Sequence, residues 1–386
     1  MLVSIHLFWN LFVVGIAHHV LFSSFLYSAE MRGAWIPSVY NLDFPSHKHM
    51  TPVEQHKEIR HLIDLAARCR LNNVFVQVRS ESDALYSSSI EPWSRFLTGR
   101  QGRAPGFDPL QTFIKEATRR HISVHAWINP YRVATNAKHS FDSKHVSRSL
   151  APYVKRVDGL LWIDPSSTVA QAHVLRVVGD LISRYNLAGI HLDDYFYPYP
   201  HHGPFPDANS YLDYRASGGR LEIGDWRRRN VNMLVYKLST LIRQKRPDMK
   251  FGISPFGVYT KGHPPTVVVS LDQLNHLYSD PVFWIRMGWV DYLAPQLYWK
   301  ENGPRSFSTL LRWWRSPEIN PRKVPIYPGI TLEHLEQKNG WPVSEILLQI
   351  RLEKAIPPRG NGGFILWRMH QLVRNVKGVS SIIAHE

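Results

Sequence analysis

Cysteine is nearly absent from this chain: Cys69 is the only one, which excludes an intrachain disulfide and any metal site built from several thiolates. It falls in an amphipathic segment and is expected in the core. Long basic runs are missing as well. The nearest approach, "DWRRRN" at residues 225–230, is a short arginine cluster at the start of an expected helix. No nucleic-acid-binding motif accompanies it, so nucleic acid is not an expected partner. Neither an internal repeat nor a low-complexity tract occurs, and the composition is not that of a disordered protein.

Long apolar runs are lacking with one exception, at residues 1–25, which contain no lysine or arginine and lead into Ser28 and Ala29. The segment reads as a signal peptide within residues 1–29, and hence as export to the periplasm or the cell exterior. The alternative is a membrane anchor formed by residues 1–27. No cysteine follows the run, which excludes a lipoprotein anchor.

What the chain has in quantity is core-forming bulk and positive charge. Of 386 residues, 44% are hydrophobic, enough to bury a large core. Lysine and arginine number 46 against 31 acidic residues, a net charge of +15 that favours an anionic partner.

Beyond residue 30, β-rich runs alternate with segments of helical period. The expected strands are 31–39, 73–79, 122–130, 189–196, 250–257, 291–299, 324–331 and 362–369. Between them, Val169, His173, Val174, Val177, Val178, Leu181, Ile182 and Tyr185 form one helical stripe. Asp225 is expected to cap another helix, with Val231, Leu234, Val235, Leu238, Leu241 and Ile242 on its buried face. Eight strands, each followed by a helix, indicate a single-domain (β/α)8 TIM barrel over residues 30–386 with long strand-to-helix loops.

Side chains two apart on a strand share a face. That rule gathers Gln77 and Arg79, His125 and Asn129, His191 and Asp193, Ser254, and Gln296 and Tyr298 on one side of five strands. Barrel interiors are normally filled by branched apolar side chains, so this polar recurrence points to a pocket at the mouth. In "GIHLDDYFYPYP", Asp193 is expected to face that pocket, with Asp194 on the other face or splayed at the strand end.

These residues lie within longer strings: "MRGAWIPSV", "FVQVRSESDALYSSSIEPWSRFLTGRQGRAPGFDPL", "HAWINPYRV", "GIHLDDYFYP", "FGISPFGVY" and "DYLAPQLYW". Taken in order they resemble the glycosyl hydrolase-like 10 family. The resemblance implies a bacterial envelope enzyme that cleaves glycan, most of all peptide-free peptidoglycan strands, without metal or other cofactor. It places functional roles on Asp83, Asn129, Arg132, Asp193, Asp194, Gln296, Tyr298 and Trp299. The chain departs from the family pattern at Ala188, Ser166 and around Glu333.

Carboxylates suit such chemistry, because glycosidic cleavage needs an acid to protonate the leaving oxygen and an anion to meet the positive charge at carbon. Asp193 is the first candidate, with Asp194 or Asp83 as its partner. If the substrate carries N-acetyl groups, its own acetamide could act as nucleophile in place of a second carboxylate. Arg79 and Arg132 could meet a lactyl carboxylate, while His125, Asn129, His191, Gln296 and Tyr298 would contact sugar and Trp299 would stack on it. Two other classes remain open from the sequence: a metal-dependent hydrolase using His125, His191, Asp193 and Asp194, and an inert glycan-binding barrel.

Overall fold

A computed structural model describes residues 30–269, 271–357 and 362–386; the expected leader lies outside them. Among the described residues eleven strands follow one another: β1 Met31–Ile36, β2 Asn73–Arg79, β3 Ser123–Ile128, β4 Arg132–Ala134, β5 Val154–Val157 and β6 Leu160–Ile163 come first. Then come β7 Gly189–Leu192, β8 Lys250–Ile253, β9 Tyr292–Leu293, β10 Gly329–Thr331 and β11 Gly363–Trp367.

Eight of these form a parallel sheet in the order β10-β11-β1-β2-β3-β7-β8-β9. Parallel bridges between Leu293 and Ile326 and between Gln296 and Gly329 join its two ends, so the sheet closes as a (β/α)8 barrel. Each of the eight expected strands is present, though several are shorter than read. Pro295 cuts short the run at 291–299, and Pro325 and Pro328 confine the next to Gly329–Thr331, because proline has no N–H to give a ladder.

Helix ends follow local chemistry. Thr51 and Glu54 close a reciprocal capping box on the helix Pro52–Arg68, and the Ser167 side chain accepts the Ala170 N–H at the start of Thr168–Arg184. Val169, expected in the buried stripe of that helix, lies in its first turn and is 47% exposed. The helix Ile223–Lys245 begins upstream of the expected cap. Asp225 sits in its first turn, paired with Arg228 at 2.6 Å, where a negative charge still favours the helix N-terminus.

The loop after β3 carries a feature the periodicity does not reveal, a small antiparallel sheet in the order β4-β6-β5. Inside the barrel, Trp35, Phe75, Trp127, Tyr292, Tyr327 and Ile365 pack together, an aromatic filling in place of branched aliphatics. Gly252 makes room for it: a Cβ there would fall 1.9 Å from the Tyr292 ring. Cys69 is buried, and no helix among the described residues is long and apolar enough to cross a membrane.

Candidate active site

At the C-terminal end of the barrel strands a cavity of about 220 Å³ opens among Trp35, Trp127, Asp193, Asp194, Tyr195, Tyr199, Ser254, Gln296, Tyr298 and Trp367. Both aspartates of the pair line it. Regular strand geometry in β7 stops at Leu192, so alternation no longer governs the next two residues and Asp194 is not turned away.

Their surroundings differ. Asp193 Oδ2 accepts the Trp127 indole N–H at 3.1 Å and an Asn129 amide hydrogen, while Oδ1 accepts the Tyr195 backbone N–H at 3.2 Å. Asn129 is oriented in turn, because its oxygen accepts from Gln77 at 2.6 Å and from Arg132 at 2.9 Å. Burial raises the Asp193 pKa, and the Arg132 charge and these donors work against that rise. Asp194 receives the Tyr199 hydroxyl on Oδ2 and the Gln296 amide on Oδ1 at 3.1 Å. Burial, with the Asp193 charge beside it, pushes Asp194 up to about 6. Tyr298 is held well above its ordinary pKa by burial and by the Asp194 charge, so it stays a neutral donor.

The structure brings Asp193, Asp194, Gln296 and Tyr298 to the cavity wall and sets Asn129 and Arg132 one step behind it. Arg132 also lies over the Tyr195 ring, 5.2 Å from its centroid. Other expected site residues lie elsewhere. The β2–β3 register slips between Gln77 and Arg79, a bulge that pairs Arg79 with Ile128 and turns it out of the interior. There Arg79 is fully buried in an ion pair with Glu91 at 2.7 Å, and His173 also contacts that glutamate.

His125 faces inward but near the strand start, level with Gly189, where its Nε2 meets Asn73 at 3.0 Å. His191 lies below the cavity between Trp35 and Tyr292. Neither histidine joins the aspartates, so the constellation needed for the metal-dependent reading is not assembled. Asp83 is fully buried within the loop after β2, accepting from the Glu81 N–H and from Gln101, and does not line the cavity. Trp299 points away from Tyr298 and packs on Phe256 at 5.5 Å. Glu333 pairs with Arg368 at 3.0 Å outside the cavity.

Trp367 and Tyr199 are wall residues that the sequence did not single out. Trp367 ends β11 and shares the inward face with Ile365, so alternation on that strand could have found it. Tyr199 is returned to Asp194 by the turn over residues 194–197, which leaves no periodic trace. A larger cavity of about 650 Å³ lies at the opposite end of the barrel, but its acids are engaged. Asp248 pairs with Arg246 at 2.9 Å and Asp291 accepts the Phe251 N–H at 2.8 Å.

Among known proteins, the chain is 37% identical over 338 residues to glycosyl hydrolase YngK of Bacillus subtilis strain 168, covering 85% of this chain and 66% of YngK. It thus spans about two thirds of that relative's length. Glycosyl hydrolase DigH of Escherichia coli K12 is 32% identical over 371 residues, 88% of this chain and 83% of DigH. In fold, it resembles the PgaB (BpsB) glycoside hydrolase domain of Bordetella bronchiseptica, with a TM-score of 0.59, 11% identity, and coverage of 92% and 98%. α-L-Fucosidase isoenzyme 2 of Paenibacillus thiaminolyticus also has a TM-score of 0.59, at 14% identity over 92% of this chain and 48% of the fucosidase. The family model that matches residues 30–341 agrees with both sequence relatives, and the chain belongs to the glycosyl hydrolase-like 10 family.

Proposed function

We propose that the protein is an exported glycoside hydrolase that cleaves cell-wall glycan, with peptide-free peptidoglycan strands as its substrate, Asp194 as the acid and Asp193 as the anion. The observation that carries this reading is the placement of two consecutive carboxyls in one aromatic cavity with unlike partners. Pairs of acids whose environments separate their protonation states can divide acid and anion roles.

Asp194, raised to about 6, keeps a protonated fraction near neutrality and gives that proton to the glycosidic oxygen. Tyr199 and Gln296 then stabilise the carboxylate left behind. Asp193 faces the positive charge that develops at the anomeric carbon, held in place by Trp127, Asn129 and the Tyr195 N–H. Among the described residues no third carboxyl lines the cavity, and Asp83, the other candidate partner of Asp193, lies outside it. A substrate bearing a 2-acetamido group supplies the missing nucleophile. Its carbonyl oxygen attacks the anomeric carbon while Asp193 holds its N–H. Trp367 stands edge-on to Trp35 and Trp127, each 6.0 Å away, and the three indoles offer faces for the sugar ring and acetyl methyl.

Mass spectrometry of products from peptide-free glycan strands, incubated with the protein and with Asp193→Asn, tests this reading. Defined oligosaccharides from the unaltered protein alone are expected. Binding without products from either form would instead favour an inert glycan-binding barrel.

A further inference from the structure

The mouth does not end at the acid pair. Between the loops that follow β1, β2 and β3 lies a cleft of about 390 Å³, whose lining includes Asn41, Lys48, Arg95, Arg100, His139 and Asp142. Lys48 and Arg100 are exposed and have no carboxylate partner among the described residues. Arg95 pairs with Glu81 at 2.8 Å, while Asp142 accepts only the Lys144 backbone N–H at 2.9 Å and keeps one negative charge at the cleft. With two cations against that one carboxylate, the cleft carries a net positive charge.

Tyr40 lies on the turn that links this cleft to the supports of the acid pair. Its neighbour Asn41 lines the cleft, and the N–H groups of Ser38 and Val39 donate to Gln77 Oε1 at 2.9 and 3.0 Å, the same Gln77 whose amide holds Asn129 against Asp193. It is 62% exposed, with φ at 57°. That left-handed conformation costs free energy for a bulky residue; the turn around it is closed by Asn41 N–H to Ser38 O at 3.0 Å and Leu42 N–H to Val39 O at 3.2 Å, while the side-chain hydroxyl bonds to no described residue. An exposed ring held under strain at a mouth is suited to stack on a sugar face.

We propose that Tyr40, Lys48 and Arg100 form a second subsite, which binds a carboxylate-bearing sugar of the strand whose neighbour occupies the cavity. The proposal rests on the glycan-cleaving reading and sharpens it, since it selects an acidic glycan, such as one with lactyl carboxylates, over a neutral N-acetylated one. It also assigns the anion recognition that Arg79 and Arg132, both buried and bonded within the protein, do not provide.

Binding is measured in the Asp194→Asn background, with peptide-free glycan strands and with the same strands after reduction of their carboxyls to alcohols. Lys48→Ala with Arg100→Ala is expected to raise Kd roughly three- to tenfold for native strands and to weaken its salt dependence, with no change on reduced strands. An equal loss on both glycans, or no loss on the native one, would overturn the anion site. Tyr40→Gly is expected to raise Kd on both glycans while the melting temperature holds or rises, because glycine adopts this φ without strain. An unchanged Kd, or a lower melting temperature, would overturn the platform. Turnover is read separately: carboxylate-dependent binding by a protein that cuts no glycan would defeat the hydrolase reading and support the subsite.

Discussion

The two ends of the barrel interior bury titratable groups equally well and use them differently. At the lower level, burial drives His125 down to about 3 and His191 well below its ordinary value, so both rings are neutral. The Trp35 indole can only donate, so His191 Nε2 accepts from it and Nδ1–H donates to the Tyr292 oxygen, 2.9 Å away. At the mouth, burial acts on Asp193 and Asp194 in the same sense, but donors from several strands and a neighbouring charge set the two carboxyls apart. A perturbed pKa therefore does not mark the site by itself. Access to a cavity and unlike partners do.

Substitutions at the two levels should separate this difference into activity and stability. The largest effect is expected from Asp194→Asn or Asp193→Asn, each lowering kcat/KM on N-acetylated glycan by about 10²- to 10⁴-fold. Asp194→Asn should also stabilise the protein at pH 7. The folded-state pKa of about 6 lies above the ordinary 3.8, so the folded form binds more protons between these values. Its stability consequently falls as pH rises from about 3.8 to 6, and the cost is fully present above that window. The variant's gain, on the order of 1–3 kcal/mol, should vanish below about pH 3.8 in denaturation measured across pH.

The pH–rate profile sharpens the comparison further. kcat/KM should decline about tenfold per pH unit above roughly 6, as the pair loses the proton carried by Asp194. A smaller loss, about 10- to 100-fold, is expected for Asn129→Ala, with a displaced acid limb because Asp193 loses a donor. At the lower level, His191→Leu should cost about 2–4 kcal/mol by leaving the Trp35 and Tyr292 groups unpaired. Its effect on kcat/KM of the folded protein should stay under about tenfold, a split that kinetics beside thermal melting would reveal.

Much of this was legible from alternation and punctuation. Eight runs gave eight barrel strands, and the inward parity of Gln77 was correct because β2 is regular up to that residue, whereas Asn129, Asp193 and Gln296 lie just past their strand ends, where hydrogen bonds rather than alternation hold them at the site. Arg79 escaped because a bulge inserts one residue without altering composition. His125 had the right face and the wrong height, since period two says which side a residue faces but not how far along the barrel it lies. Trp299 could have been excluded by the same parity that admitted Tyr298. Asp83 and Tyr199 depend on loop conformation, where turns and buried hydrogen bonds replace periodicity.

The division of labour between the consecutive aspartates can be tested by leaving-group dependence, comparing kcat on natural glycan with kcat on an N-acetylated glycoside whose leaving group needs no proton. The account predicts that the activated substrate restores most of the rate to Asp194→Asn and almost none to Asp193→Asn. Rescue of Asp193→Asn instead, or of neither variant, would contradict it.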